Sequence, residues 1–233
     1  SSSVTQGLRC RFKTATMANR RMYVGNVHYL DGPLEGKSYE DRLLRSPVNK
    51  FDVFPHDSYI DVAINDGDKI IALESYKDKL LQFKRHTLYV INISSEDEFL
   101  EETFTYMGIK QPWSVCKFQD GVAFVNETGL FLYDGRAATN VIKDRIDDEE
   151  WSNFCGNDSI ANSPCIGYIP KENQLIISSG PSEEFGGNVY VFDLTTNTLT
   201  FGIDKIVPQN RTNFISDLED KLLFGVTEGS SVE

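Results

Sequence analysis

Residues 78–92 read "DKLLQFKRHTLYVIN". Two β-rich runs, "LLQF" and "TLYVINI", flank a short basic turn, "KRH", which is the signal of a β-hairpin. The form recurs down the chain. "GVAFV" (121–125) passes through "NETG" to "LFLYDG" (130–135). Asn and Gly there supply the left-handed backbone angles that a tight turn requires. "QLIISS" (174–179) leads through the Gly/Pro-rich "GPSEEFGG" to "NVYVFDL" (188–194). D-K-L-L returns at 220–223, and "KLLFGV" (221–226) opens a further copy with no second strand after it. An earlier candidate is "RRMYVGNVHYL" (20–30), with "EDRLLRS" (40–46) as its partner.

Each hairpin has outer neighbours. "IIALES" (70–75) and "EETFTYMG" (101–108) flank the first, "WSVCKF" (113–118) and "ATNVI" (138–142) the second, "CIGYIP" (165–170) and "LTFGI" (199–203) the third. "FISDLE" (214–219) leads into the last copy. The unit is four short strands, and its spacing matches propeller blades, which run about 40–50 residues each. A lone four-stranded meander has two apolar faces and cannot cover both. Stacking such sheets side by side buries each between neighbours. That explains strands that are nearly continuously apolar, such as "LFLY" and "VYVF", rather than alternating. A sandwich offers no reason for so even a repeat. The expectation is an all-β chain, a β-propeller with four-stranded blades over 10–55, 64–108, 112–142 and 163–203, and a half blade over 213–233. The first blade reads as partial or irregular, and the ring as incomplete within this chain. One short inserted helix is expected over "DRIDDEEWSNF" (144–154), whose acids suit a helix N-terminus; a loop around a buried Trp is the alternative.

Composition sets the outer bounds. The 233 residues are 40% hydrophobic and 12% aromatic, enough for a sizeable core and weighted toward β structure. No stretch approaches the roughly 20 apolar residues of a membrane helix, so no membrane insertion is expected. No signal peptide is visible, and the opening "SSSVTQ" reads as a processed or partial product. The net charge of −12 argues against a surface that grips nucleic acid. The densest basic stretches, "NRRM" (19–22) and "FKRH" (83–86), read as solvated hairpin tips.

Catalytic and metal-binding patterns are sparse. Cys10, Cys116, Cys155 and Cys165 show no zinc spacing. Cys155 and Cys165 are near enough to meet across a loop, but free thiols in a reducing compartment are the simpler reading. Sequons start at Asn92, Asn126, Asn157 and Asn210, and mean nothing without secretion. His28, His56 and His86 have no spaced Ser or Asp partners. "NDGDK" (65–69) lacks the alternating ligands of a calcium loop and reads as a turn. "DDEE" (Asp147, Asp148, Glu149, Glu150) is the nearest approach to an acid-catalyst cluster, and a helix start explains it as well. "KFDVFPHD" (50–57) reads as a packing crossover. No catalytic, cofactor-binding or metal-binding residue is assigned, no cofactor is expected, and the chain is not expected to be an enzyme.

The runs "DRLLRSPVNKFDVFP" (41–55), "INDGDKIIALESYKDKLLQFKRHTLYVIN" (64–92) and "GIKQPWSVCKFQDGVAFVNETGLFLYDG" (108–135) resemble a pattern of bacteriophage virion propellers. In those, a strand ending in Ser leads to a Phe-Pro crossover and then to the blade. Over roughly residues 20–200 the chain resembles tail nozzle and tail tube proteins of short-tailed phages. The resemblance implies a structural role in the virion tail, assembled in the host bacterial cytoplasm. It implies a homo-oligomeric ring, other tail proteins as partners, and DNA passing through the assembly without sequence-specific binding. A propeller binding module for a host-surface glycan or a partner protein is the alternative. "GPSEEFGGN" (180–188) and "LDGPLEGKSYED" (30–41) would be its loops.

Overall fold

The computed structural model describes residues 9–55, 57–62, 66–156, 163–179, 188–203, 214–217 and 219–224. The chain divides into two compact units, Ser1–Ile109 and Lys110–Glu233.

The first unit holds two four-stranded antiparallel sheets. One runs β1 (Cys10–Ala18), β2 (Arg21–Tyr29), β3 (Ser38–Arg45), β4 (Tyr59–Asp61), and the other β5 (Ala72–Tyr76), β6 (Lys79–Phe83), β7 (Thr87–Asn92), β8 (Phe99–Thr105). In both, each strand pairs with the next in sequence, as a propeller blade requires. Gly25 and Leu43 face the second sheet, where a buried cluster joins Tyr23 and Leu43 to Ile70, Leu73, Leu80, Tyr89 and Ile91. The two first strands are also tied by polar bonds: Leu73 N–H donates to Thr14 Oγ1 at 2.9 Å, and Ser75 Oγ–H to the Met17 carbonyl at 3.0 Å.

The first blade is therefore complete rather than partial. Its first strand escaped sequence reading because "CRFKTATMA" is mostly exposed and has no apolar run. Its last is three residues long and lies at 59–61, beyond the expected boundary. Ser38 and Tyr39, expected in a loop, belong to β3.

The second unit carries β9 (Val115–Phe118), β10 (Gly121–Asn126), β11 (Gly129–Tyr133) and β12 (Ala138–Asn140), then helix α1 (Asp148–Phe154). The sheet β13 (Cys165–Ile169), β14 (Gln174–Ser178), β15 (Val189–Asp193), β16 (Thr198–Gly202) follows, and then a two-stranded ladder, β17 (Ile215–Ser216) with β18 (Leu222–Leu223). Every residue of β10 is buried. One core gathers Ala123, Val125, Leu130, Trp151, Phe154, Ile166, Leu175, Ile177, Tyr190 and Phe192. The chain is all-β of the β-propeller class, built of four-stranded blades with, among the described residues, one short inserted α-helix.

Candidate functional site: ionic clusters and an open cleft

Lys84 follows the last residue of β6. Its side chain has no solvent exposure, which contradicts the solvated-tip reading of 83–86. The alternation that aims Leu80 at the first sheet aims Lys84 the same way. An ammonium placed there needs oxygen partners, because an unpaired buried charge is too costly to retain. Asp66 supplies both carboxylate oxygens at 2.8 Å, Asp41 supplies Oδ1 at 2.9 Å, and the Asp68 carbonyl stands at 3.3 Å. Tyr89 O–H donates to Asp66 Oδ2 at 3.1 Å, with its ring 5.6 Å from the ammonium. Burial acts to raise the Asp66 pKa. The Lys84 hydrogen bond, the Asp68 N–H, the Lys84 charge and the Tyr89 bond outweigh it, so this carboxyl sits below its ordinary value. Burial likewise acts to lower the Lys84 pKa, and the Asp66 and Asp41 bonds and charges outweigh it, so the ammonium sits above its ordinary value. The turn reading of 66–69 holds in part: Gly67 is left-handed and Asp68 N–H donates to Asp66 Oδ1 at 3.1 Å. The missed feature is that this turn is also the lysine's anion. Two Asp residues one turn apart, followed by a Lys at the end of the next strand, were the available signal.

A second cluster ties the same two sheets through their other turns. Arg45 Nη1 meets Glu98 Oε2 at 2.5 Å, and Tyr23 O–H donates to Glu98 Oε1 at 2.9 Å. Arg21 donates to the Ser46 carbonyl at 3.1 Å and reaches Glu96 at 3.4 Å, so only Arg20 of "NRRM" is a fully exposed arginine. Burial, then the charge and hydrogen bond of Glu98, push the Tyr23 phenol well up. Beside this cluster opens a cleft of about 600 Å³ whose rim includes Asn19, Arg20, Asp78, Ser94, Ser95 and Glu96.

The acidic run in the second unit is not gathered into a catalytic site. Asp147 caps α1, its Oδ1 accepting the Glu149 N–H at 2.9 Å, and Glu150 accepts the Tyr190 O–H at 3.2 Å. All four acids are exposed. His28 Nδ1 lies 2.8 Å from Ser38 Oγ, and His86 is an exposed ring 3.5 Å from Asp68. His56, Asn65, Asn157, Asn210 and residues 180–187 lie outside the described residues. No disulfide joins Cys10, Cys116, Cys155 or Cys165. Among the described residues no group of His, Cys, Asp and Glu converges as a metal site, and no helix is long and apolar enough to cross a membrane.

No known family's sequence pattern matches the chain, and no curated protein matches it. Solved structures do. Hsv2 from Kluyveromyces lactis (complete loop 6CD) is 11% identical with a TM-score of 0.40, covering 84% of this chain and 62% of that one. The WD40 domain of SCAP from fission yeast is 12% identical with a TM-score of 0.44, covering 90% of this chain and 56% of that one. The chain thus spans less than two thirds of either structure. At that level the likeness concerns fold alone, and the blades stand on their own strand pairing.

Proposed function

We propose that the chain is a non-enzymatic structural propeller, a virion tail component of the nozzle or tube type, working with further copies and other tail proteins. The observation that carries this is where its shielded ion pairs go. Lys84 with Asp41, and Arg45 with Glu98, join one blade to the next within the first unit. They brace a scaffold, and among them Glu98 alone also lines the open cleft. The sequence resemblance across residues 20–200 supplies the virion context. Electron microscopy of native particles should place the chain in a ring of copies at a tail. A protein that remains monomeric at high concentration and joins no particle sinks the reading.

The open polar cleft favours a second reading, a module for a host-surface saccharide. Its Asn, Arg, Ser and Asp side chains match the hydroxyl-rich chemistry of a glycan. Binding on a glycan array that Arg20→Ala abolishes would support it, and silence across the array would end it.

A further inference from the structure

We propose that β8 is a docking edge to which an extended segment of another protein adds as a fifth strand, with a Lys or Arg of that segment set against Glu102. Among the described residues β8 ends its sheet, paired only with β7. Backbone groups that do not bond β7 therefore point outward, which is the template for strand addition.

Proteins ordinarily blunt such edges with short strands, charges or a bulge. β4 and β12 follow that rule with three residues each, whereas the five-residue β16 leaves Phe201 42% exposed. β8 is seven residues long. It leaves Phe99 53% and Leu100 44% exposed, and Tyr106, just beyond its end, 78% exposed. A bulge opposite Val90 and Ile91 takes Glu101 out of the ladder, and its carboxylate folds back onto Lys79 and Asn92 of its own sheet. That charge does not guard the edge. Beyond the bulge, Glu102 to Thr105 continue in regular register with Val90 to Thr87.

Charge decides the occupant. Glu102 is the central residue of the strand and has no hydrogen-bond or ion-pair partner among the described residues. A second copy pairing β8 with β8 about a two-fold axis sets Glu102 against Glu102. In any other register the β8 of a second copy, FLEETFT, holds no Lys or Arg and so offers Glu102 no cation. Like charges directly opposite destabilise an antiparallel pair, and opposite charges stabilise it. The fitting partner is a heterologous strand with apolar residues beside Phe99 and Phe104 and a cation between them. Phe99, Glu102 and Phe104 share one face through their pairing with Asn92, Val90 and Leu88. The edge would serve any assembly the chain joins and does not depend on that assembly being a virion tail.

The test uses the whole chain and two capped peptides, Thr-Val-Thr-Lys-Val-Thr-Val and the same sequence with Glu for Lys, followed by fluorescence anisotropy and amide exchange. The lysine peptide should bind roughly fivefold tighter, protect amides 99–105, and lose its advantage at high salt. Glu102→Lys should invert the preference. Should that variant not fold, Glu102→Gln should bring the two peptides to parity. Failure of both peptides to bind or protect the strand overturns the proposal, as does binding with no preference that Glu102→Lys can change. A wild-type dimer in sedimentation, broken by Phe99→Ser, would assign the edge to a second copy and overturn the partner.

Discussion

Lys84 and Asp66 stand 18 residues apart in the chain and 2.8 Å apart in space, with both Asp66 oxygens on the ammonium. Asp41, 43 residues from Lys84, completes the pairing from β3 of the neighbouring sheet. One buried cation thus joins the β6 end, the 66–69 turn and the first blade.

Breaking a buried pair by removing one partner leaves an uncompensated charge. Lys84→Met is therefore expected to lower unfolding stability by about 3 kcal/mol. Asp66→Ala should cost more than Asp41→Ala, because Asp66 gives two oxygens and also holds the Tyr89 hydroxyl. Urea denaturation of the three variants checks the order. Equal losses for the two aspartates would show that the ammonium does not distinguish them.

The same cluster sets a pH signature. Asp66 is depressed in the fold, so its contribution is present above the ordinary value of 3.8 and is lost as pH falls through its lower folded value. Lys84 is raised, so its contribution is present below 10.5 and is lost as pH rises through its higher folded value. Stability measured across pH should fall at both extremes. Asp66→Asn should flatten the acid limb, and an acid slope unchanged from wild type would refute its role.

How far these features were legible depends on distance along the chain. "GVAFVNETGLFLYDG" names its own hairpin, though by another device than left-handed Asn and Gly, since neither Asn126 nor Gly129 has a positive φ: Asn126 Oδ1 accepts the Thr128 N–H at 2.8 Å, and Val122 to Asn126 run opposite Tyr133 to Gly129. Strand runs and their turns are local chemistry, so the blades could be read. The acids of 147–150 likewise marked the start of α1, which Asp147 caps. For Lys84 the acids of the 66–68 turn were a local signal, but its burial also depends on Asp41 arriving from the first blade, which no local pattern shows. β1 was hidden for a related reason. Its pairing with β2 and its Thr14 bond to Leu73 hold it, and neither shows as an apolar pattern. Sequence order showed no grouping of side chains at the cleft beside Tyr23, since its rim comes from turns near 20, 78 and 95.

Trp151 anchors the second unit. It is buried, its ring centroid lies 5.4 Å from Phe154 and 5.6 Å from Tyr190, and its Nε1–H donates to the Asn126 carbonyl at 2.9 Å. Trp151→Ala should cost about 3–5 kcal/mol through the cavity it leaves. Trp151→Phe keeps much of the packing and loses the donor, so it should cost less, with about 1 kcal/mol of its loss due to the hydrogen bond. Thermal denaturation of the two variants separates packing from bonding, and equal losses would mean that the ring contributes little beyond the bond.

Gly167 lies in the middle of β13, where the β17–β18 ladder packs onto it. A Cβ at that position would stand 2.8 Å from Leu222 Cδ2 and 2.9 Å from Phe214 Cβ, closer than carbon atoms tolerate. The absence of a side chain there is what lets the ladder seat. Gly167→Ala should displace it, raise amide exchange over 215–223, and cost about 1–3 kcal/mol, the usual effect of overpacking. Shortening the opposing side chain tests the cause. Leu222→Ala removes the nearest methyl, so the double variant should be more stable than the sum of the two single losses implies, because residues in contact couple. Strict additivity, or exchange over 215–223 that Gly167→Ala leaves unchanged, would show that the ladder is held by something other than this close approach.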